Sequence, residues 1–271
     1  MASSASSDRS NPVALVTGAS SGIGEALAPC FAAAGHDLVL VARSAVKLQV
    51  LAQQLADDHG IKAWVEPADL AQPGAAARLV ATLRRKRRRI DVLVNNAGVL
   101  VQGPFVGMKR GEAGRMIDLN ISGLTALLDE LLPAMVARGS GRVLNVASIA
   151  AFQPVPTLAT YAATKAYVLS LTESLAEELR GTGVTITALC PGITATPMLG
   201  QAASANARLS ELPAFLVGDV HDVARQGFEA CMRGDVICVP GVVNRAAMVA
   251  SRGTPKWLVR RIGGWIGRQA L

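Results

Sequence analysis

The sequence predicts an α/β fold, with about seven strands in one sheet and helices on both of its faces. Three observations carry this. Short apolar runs alternate with longer amphipathic stretches, with no internal repeat. The first run passes directly into a glycine-rich turn and then a helical pattern. The chain of 271 residues, 51% of them apolar, can fill a large core between helix layers.

Val13–Thr17 reads as a buried strand, followed at once by Gly18-Ala19-Ser20-Ser21-Gly22-Ile23-Gly24 and an amphipathic stretch to Ala34, stopped by Gly35. Strand, turn and helix together form a phosphate cradle. Gly18 permits the turn, Gly22 admits the backbone close to a pyrophosphate, and Gly24 lets the helix pack on the strand. The spacing is G-x-x-x-G-x-G, and Pro29 falls inside the expected helix, where it removes a hydrogen bond or kinks it. The second strand is Asp37–Ala42. An acid at its end would accept hydrogen bonds from a ribose 2′-hydroxyl, but Ala42 stands there, and Arg43, opening the turn with Ser44, suits a 2′-phosphate. A helix over Ala45–His59 and a strand over Lys62–Glu66 follow. Beyond that strand, Asp69-Leu70 places a carboxylate within reach of an adenine amino group.

A third helix, Gln72 to Arg88, ends in an Arg/Lys run expected to be a solvated C-terminus. The fourth strand, Ile90–Val94, leads into Asn95-Asn96-Ala97-Gly98. A long helix, Gly111 to Ala137, carries Asn120 among apolar residues, where a buried amide needs partners. The fifth strand, Val143–Ala147, delivers Ser148 to its carboxyl end, where open α/β sheets bind ligands. An apolar loop precedes the helix that bears Tyr161 and Lys165 and runs to about Arg180. Four residues apart, these two side chains share a helix face, and an ammonium there favours the tyrosinate, lowering the phenol pKa toward proton-shuttling range. Strand six is Val184–Leu189, ending in Cys190-Pro191-Gly192-Ile193-Thr194-Ala195-Thr196. Residues 197–218 suggest a substrate-covering lid; a helix from Asp219 and a strand over Val236–Val239 complete the sheet.

The net charge of +7 has two sources, Arg84–Arg89 and the segment after Val243, with six positive charges each; without them the chain holds 15 basic against 20 acidic residues. That distribution argues against a general nucleic-acid-binding face. Four cysteines without metal-ligand spacing suggest reduced thiols and a cytoplasmic protein. No uninterrupted apolar stretch is expected to span a bilayer, and residues 1–11 read as a disordered lead-in without the apolar core of a signal peptide.

In order, Thr17-Gly18-Ala19-Ser20-Ser21-Gly22-Ile23-Gly24, Asp69-Leu70, Asn95-Asn96-Ala97-Gly98, Asn120, Ser148, Tyr161-x-x-x-Lys165 and Pro191-Gly192 resemble the signatures of the short-chain dehydrogenase/reductase family. The resemblance covers residues 12–243, one dinucleotide-binding catalytic domain. It implies a Rossmann-type doubly wound parallel sheet, a catalytic tetrad of Asn120, Ser148, Tyr161 and Lys165, and no metal. It further implies NADP(H), with NADPH preferred through the Ala42-Arg43-Ser44 turn. Cofactor contacts are implied at Gly18, Ser20, Ser21, Gly22, Ile23, Gly24, Arg43, Ser44, Asp69, Leu70, Asn96, Ala97, Gly98, Tyr161, Lys165, Pro191, Gly192, Thr194 and Thr196. Of the two threonines, Thr196 is the better placed by spacing to meet the carboxamide.

On this reading Ser148 polarises a substrate carbonyl, Tyr161 delivers the proton, Lys165 lowers the tyrosine pKa and reaches the ribose, and Asn120 holds a water that links Lys165 to solvent. The other reading is a non-catalytic nucleotide-binding protein on the same fold; the intact Tyr161 and Lys165 argue against it. Phe152, Val155, Met198, Leu199, Phe215 and Leu216 fall on loops expected near the substrate and favour an apolar carbonyl or alcohol, though they could equally be loop packing. A homo-oligomer, dimer or tetramer, is expected. In the segment 244–271, Leu258, Ile262, Trp265 and Ile266 form one helical stripe, with Arg260, Arg261 and Arg268 largely away from it. Such a basic helix suits either docking on protein or peripheral contact with an anionic membrane.

Overall fold

The computed structural model describes residues 11–200, 217–242, 244–246 and 248. The lid residues Phe215 and Leu216, the tail stripe and most of the lead-in lie outside them. Seven strands run parallel: β1 (Val13–Thr17), β2 (Asp37–Ala42), β3 (Ala63–Pro67), β4 (Val92–Asn95), β5 (Gly141–Val146), β6 (Val184–Leu189) and β7 (Ile237–Cys238), in the spatial order β3-β2-β1-β4-β5-β6-β7. The chain winds outward from β1 to β3, returns to β4, and winds the other way. The topological switch point therefore lies between β1 and β4, where doubly wound sheets bind ligands at the strands' carboxyl ends.

The strands are apolar almost throughout because both faces are covered. Leu15, Val39, Val41, Leu93, Val143 and Ile186 face one layer, built from α3 (Ala75–Arg85), α5 (Leu124–Ala137) and α6 (Ala159–Glu178). Ala14, Val16, Leu38, Leu40, Val94 and Leu144 face the other, built from α1 (Gly22–Ala33), α2 (Ala45–His59) and α7 (Val220–Arg233). Pro29 fits inside α1 because it lies on the solvent side of the helix, as does Glu25, whose carbonyl loses its partner and can be satisfied by water. Pro133 in α5 repeats the arrangement with Asp129.

Three expectations change. The third helix is shorter than Gln72–Arg88: Gly74, at φ +71°, starts α3, and Arg87 leaves the helical region at φ +53°. Its cationic end is not simply solvated. Lys86 and Arg88 turn back onto buried Glu66 at 2.6 and 2.5 Å, and Arg88 stacks over Trp64. The long fourth helix is continuous but has three parts: α4 (Glu112–Ile117), a π-helical segment Asp118–Gly123 containing Asn120, then α5. Among the described residues, this run (Glu112–Ala137) is the one long and apolar enough by length and composition to cross a membrane, although Asn120, Asp129 and Glu130 interrupt its apolar stretch. Its apolar side is occupied by the core, with Leu127, Leu128, Leu131 and Met135 buried against α3 and the sheet.

Candidate active site

The switch point opens on a cavity of about 720 Å³. At one end is the glycine turn. Gly18, at φ +65°, redirects the chain as it leaves β1. The turn is stitched to β4: Thr17 Oγ1 donates to the Val94 carbonyl at 3.0 Å and accepts from the backbone amides of Asn96 and Ala97 at 2.9 and 3.0 Å. Asn96 Nδ2 donates to the Thr17 carbonyl at 2.9 Å and to that of Gly18 at 3.3 Å. A Cβ on Gly24 would overlap Asn96 Nδ2 and come within 2.5 Å of the Gly18 carbonyl. Gly24 is therefore needed for space, and Asn96 acts as a staple as well as lining the cavity.

Gly18, Ser20, Ser21, Gly22 and Ile23 line this end, with Arg43, Ser44, Asp69 and Leu70 beside them. Asp69 also receives the Ala71 amide, and the Arg115 guanidinium lies 3.8 Å away. Sequence reasoning missed Lys47, which lines the cavity close to Arg43; Ser44 Oγ caps α2 by accepting the Lys47 amide at 3.4 Å. A signal was available, because a cation in the first turn of a helix opposes the dipole unless an anion joins it.

The other end is formed by Ala97, Gly98, Val99, Leu119, Tyr161, Lys165, Pro191, Thr196 and Met198; Val99 and Leu119 were not anticipated. Met198 alone of the described loop hydrophobes reaches the wall. Phe152 packs against the core, and Val155 and Leu199 are half-buried. Asn120, Ser148, Gly192 and Thr194 stand behind the wall. Thr194 Oγ1 donates to the Gly192 carbonyl at 3.0 Å, and Thr196 Oγ1 to the Thr194 carbonyl at 3.3 Å.

Ser148 is buried at the end of β5; its Oγ accepts the Ala150 amide at 3.1 Å and hydrogen-bonds Tyr161. Burial pushes the Tyr161 phenol above its ordinary value, and Ser148 pulls it part of the way back. The net shift is upward, opposite to the expected depression, because burial outweighs what Lys165 contributes. Lys165 Nζ is 5.8 Å from the Tyr161 ring centroid and donates to the Val146 carbonyl at 2.7 Å. Burial lowers Lys165 itself to about 8, against a smaller opposing influence from the Cys190 thiol. The Asn120 carboxamide is bonded both to the loop after β4 and to α6. Its Oδ1 accepts the Val99 amide at 2.9 Å, while Nδ2 donates to the Val99 carbonyl at 3.0 Å and to Thr164 Oγ1 at 3.1 Å. The side chain clamps the loop after β4 with both amide protons used, while Oδ1 keeps one of its two lone pairs. Among the described residues, no cluster of His, Cys, Asp or Glu could hold a metal ion.

The cavity fits a dinucleotide: a backbone turn for a pyrophosphate at one end, two cations beside it, and a Tyr–Ser–Lys group at the other. Gly98 is cleared of side chain there, since a Cβ would meet Asn120 Oδ1 at 3.2 Å and Lys165 Nζ at 3.6 Å. Comparison with known proteins agrees. Residues 12–207 match the family model described as short chain dehydrogenase. An uncharacterized oxidoreductase of Staphylococcus epidermidis is 38% identical over 186 residues, covering 69% of this chain and 79% of that protein. A short-chain dehydrogenase from Sphingobium yanoikuyae, solved in complex with NADPH, is 35% identical, with a TM-score of 0.78 over 89% of this chain and 93% of that one. A bulky-bulky ketone specific alcohol dehydrogenase from Comamonas testosteroni is 31% identical, with a TM-score of 0.74 over 90% and 95% of the two chains. The sheet order, the glycine turn and these likenesses together make the chain a member of the short-chain dehydrogenase/reductase family, an oxidoreductase built around a nicotinamide cofactor.

Proposed function

We propose that the protein is an NADPH-linked carbonyl reductase, or alcohol dehydrogenase in the reverse direction, acting on an apolar substrate. One observation carries this: Tyr161 and Lys165 line the end of the cavity away from Arg43 and Lys47, with Ser148 hydrogen-bonded to the phenol from behind. The residues suited to the cofactor are the glycine turn for the pyrophosphate, Arg43 and Lys47 for a 2′-phosphate, and Lys165 with Thr196 for the nicotinamide half. Bound there, the nicotinamide supplies or takes up the hydride. Ser148, which accepts the Ala150 amide and hydrogen-bonds Tyr161, turns its hydroxyl proton toward the carbonyl oxygen when substrate is bound. Tyr161, its pKa raised by burial, is protonated at neutral pH and serves as the acid. The Lys165 charge stabilises the tyrosinate that proton transfer leaves. Asn120 positions the loop between β4 and α4 through Val99. Apolar wall residues Val99, Leu119 and Met198 favour an apolar substrate. All four cysteines are free, which supports a reducing, cytoplasmic setting.

The cofactor preference is the direct test. A charge-assisted pair contributes roughly 1.5–3 kcal/mol, about one to two decades of affinity. Titration should find NADPH bound more tightly than NADH by that margin in the wild type, with most of the difference lost in Arg43→Ala and reversed in Ala42→Asp. Equal affinities in the wild type would remove the assignment. Apolar ketones should then support oxidation of bound NADPH, and a chain that binds but never turns over would instead be a nucleotide-binding protein.

A further inference from the structure

We infer that Asn244, in the chain beyond β7, is a positioning residue for the nicotinamide end of the cavity. The inference rests on the nicotinamide reading proposed above. Gly192 follows Pro191 in the turn that leaves β6, and a Cβ built on it would meet Asn244 Nδ2 at 2.5 Å, Oδ1 at 2.6 Å and Cγ at 2.8 Å. The Asn244 carboxamide thus fills the space a side chain at position 192 would take. Gly192 does not adopt a left-handed φ, so the glycine answers a need for room rather than for backbone freedom.

The carboxamide is itself fixed. Its Nδ2 donates to the Pro240 carbonyl at 2.8 Å, and the next residue, Arg245, donates from Nε to the Val239 carbonyl at 2.9 Å and from its backbone amide to Gly241 at 3.1 Å. This short stretch is folded back onto the end of β7. From Gly192 the contact passes into the cavity through the bonds already described, Thr194 to the Gly192 carbonyl and Thr196 to the Thr194 carbonyl. Thr196 lines the wall, and its Cγ2 lies 3.3 Å from the position of a Cβ on Gly22, so it also meets the glycine turn. On the opposite side, the Pro191 carbonyl accepts the amide of Ile149, the residue after Ser148, at 3.0 Å. Asn244 therefore braces the one turn that links Thr196 to the catalytic strand end. It lies beyond residues 12–207, the stretch that matches the family model.

Removing the brace should loosen the nicotinamide half without touching the adenine half. The test compares wild type, Asn244→Ala, Gly192→Ala and the double variant, measuring the affinity of NADPH, the affinity of adenosine 2′,5′-bisphosphate, and kcat. Asn244→Ala is expected to weaken NADPH about tenfold and lower kcat by a similar factor, since small misplacements at a reacting centre cost up to about 10²-fold. The bisphosphate, which lacks the nicotinamide, should bind as before. Gly192→Ala should do the same harm by collision with Asn244, and the double variant should recover most of the loss, because the new methyl enters the vacated space. Equal weakening of both ligands, or additive losses in the double variant, would reduce Asn244 to a merely structural residue and overturn the inference. Unchanged NADPH affinity and kcat in Asn244→Ala would overturn it while leaving the nicotinamide reading intact. A wild type that binds the bisphosphate but gains nothing from the nicotinamide half would take down both.

Discussion

The two ends of the cavity are held together differently. At the glycine turn, Thr17, Gly18, Asn96 and Ala97 exchange five hydrogen bonds with one another and with β4, all at the ends of central strands. At the far end, the loop after β4 is tied to the loop before α6 by the Gly103 amide and the Thr157 carbonyl at 2.9 Å. Thr157 accepts that bond from a left-handed conformation, φ +66°. The contrast follows from what each end recognises. A pyrophosphate is read by backbone amides, which demands a fixed turn with no side chains in the way. A substrate is read by side chains on loops, which need only be near the reacting groups, and strain is tolerated where the surrounding structure enforces it.

The largest effect that sharpens this contrast is Tyr161→Phe. The change removes one hydroxyl from the far end and leaves the glycine turn as it is. Turnover should fall by about 10²–10⁴-fold, while NADPH affinity, measured by fluorescence of the bound nucleotide, stays within a few-fold of wild type. Near-normal kcat would mean that another group is the acid. The counterpart at the other end is Gly24→Ala. Its methyl would meet the Gly18 carbonyl and Asn96 Nδ2, neither of which can move without breaking the staple. Overpacking of that kind costs about 1–3 kcal/mol. Denaturant titration should show that loss together with weakened cofactor, whereas Tyr161→Phe should show little change in stability.

The same division governs what could be read from the sequence. The limits of β1, β2 and β6 and the roles of Gly18 and Gly24 were legible because each is set by local chemistry: an apolar run, a turn, a helix start. Tyr161 and Lys165 were legible as a pair, one helical turn apart. Their electrostatics were not, since the phenol is raised by burial and Lys165 donates to Val146, facts of packing between α6 and β5. Asn120 was visible as an odd polar residue, but its partners Val99 and Thr164 lie 21 and 44 residues away. The pairing of buried Glu66 with Arg88 and the still exposed Lys86 was hidden for the same reason: the edge strand and the end of α3 meet only in the folded chain.

Lys165 offers a test in which stability and activity part. Burial holds its folded pKa at about 8, below the ordinary lysine value of 10.5, so keeping it charged at neutral pH works against folding. Between those two values the unfolded chain binds a proton that the folded chain does not. Stability therefore rises with pH across that window and is lowest below it. Lys165→Met should raise stability by about 1–3 kcal/mol at neutral pH, less whatever the lost bond to Val146 contributed. The gain should shrink as denaturation is repeated at increasing pH above 8. Turnover should collapse in the same variant, and in the wild type the reductive rate should fall as pH rises through about 8, where Lys165 loses its charge. A pH-independent gain in stability would show that the lysine is not buried as a cation.

The smallest effect concerns Thr157, and it asks whether the far end's strain is used. Val155–Leu158 is a tight turn, with the Leu158 amide donating to the Val155 carbonyl at 3.1 Å, Pro156 at the second position and Thr157 at the third. A positive φ at that third position suits glycine, and a β-branched residue there is strained by roughly 1–2 kcal/mol. Thr157→Gly keeps the carbonyl that binds Gly103 and releases the strain, offset in part by the freedom glycine gains in the unfolded chain. The net gain should be about 1 kcal/mol or less, a rise of about 2–4 °C in Tm for a chain of this size. If Tm rises and kcat holds, the strain is incidental. If Tm rises while kcat falls, the strained turn sets the approach to Tyr161, four residues later in the first turn of α6, and the far end of the cavity is as specifically built as the glycine turn. A fall in Tm would mean instead that the threonine side chain makes contacts worth more than the strain, and the contrast between the two ends would weaken.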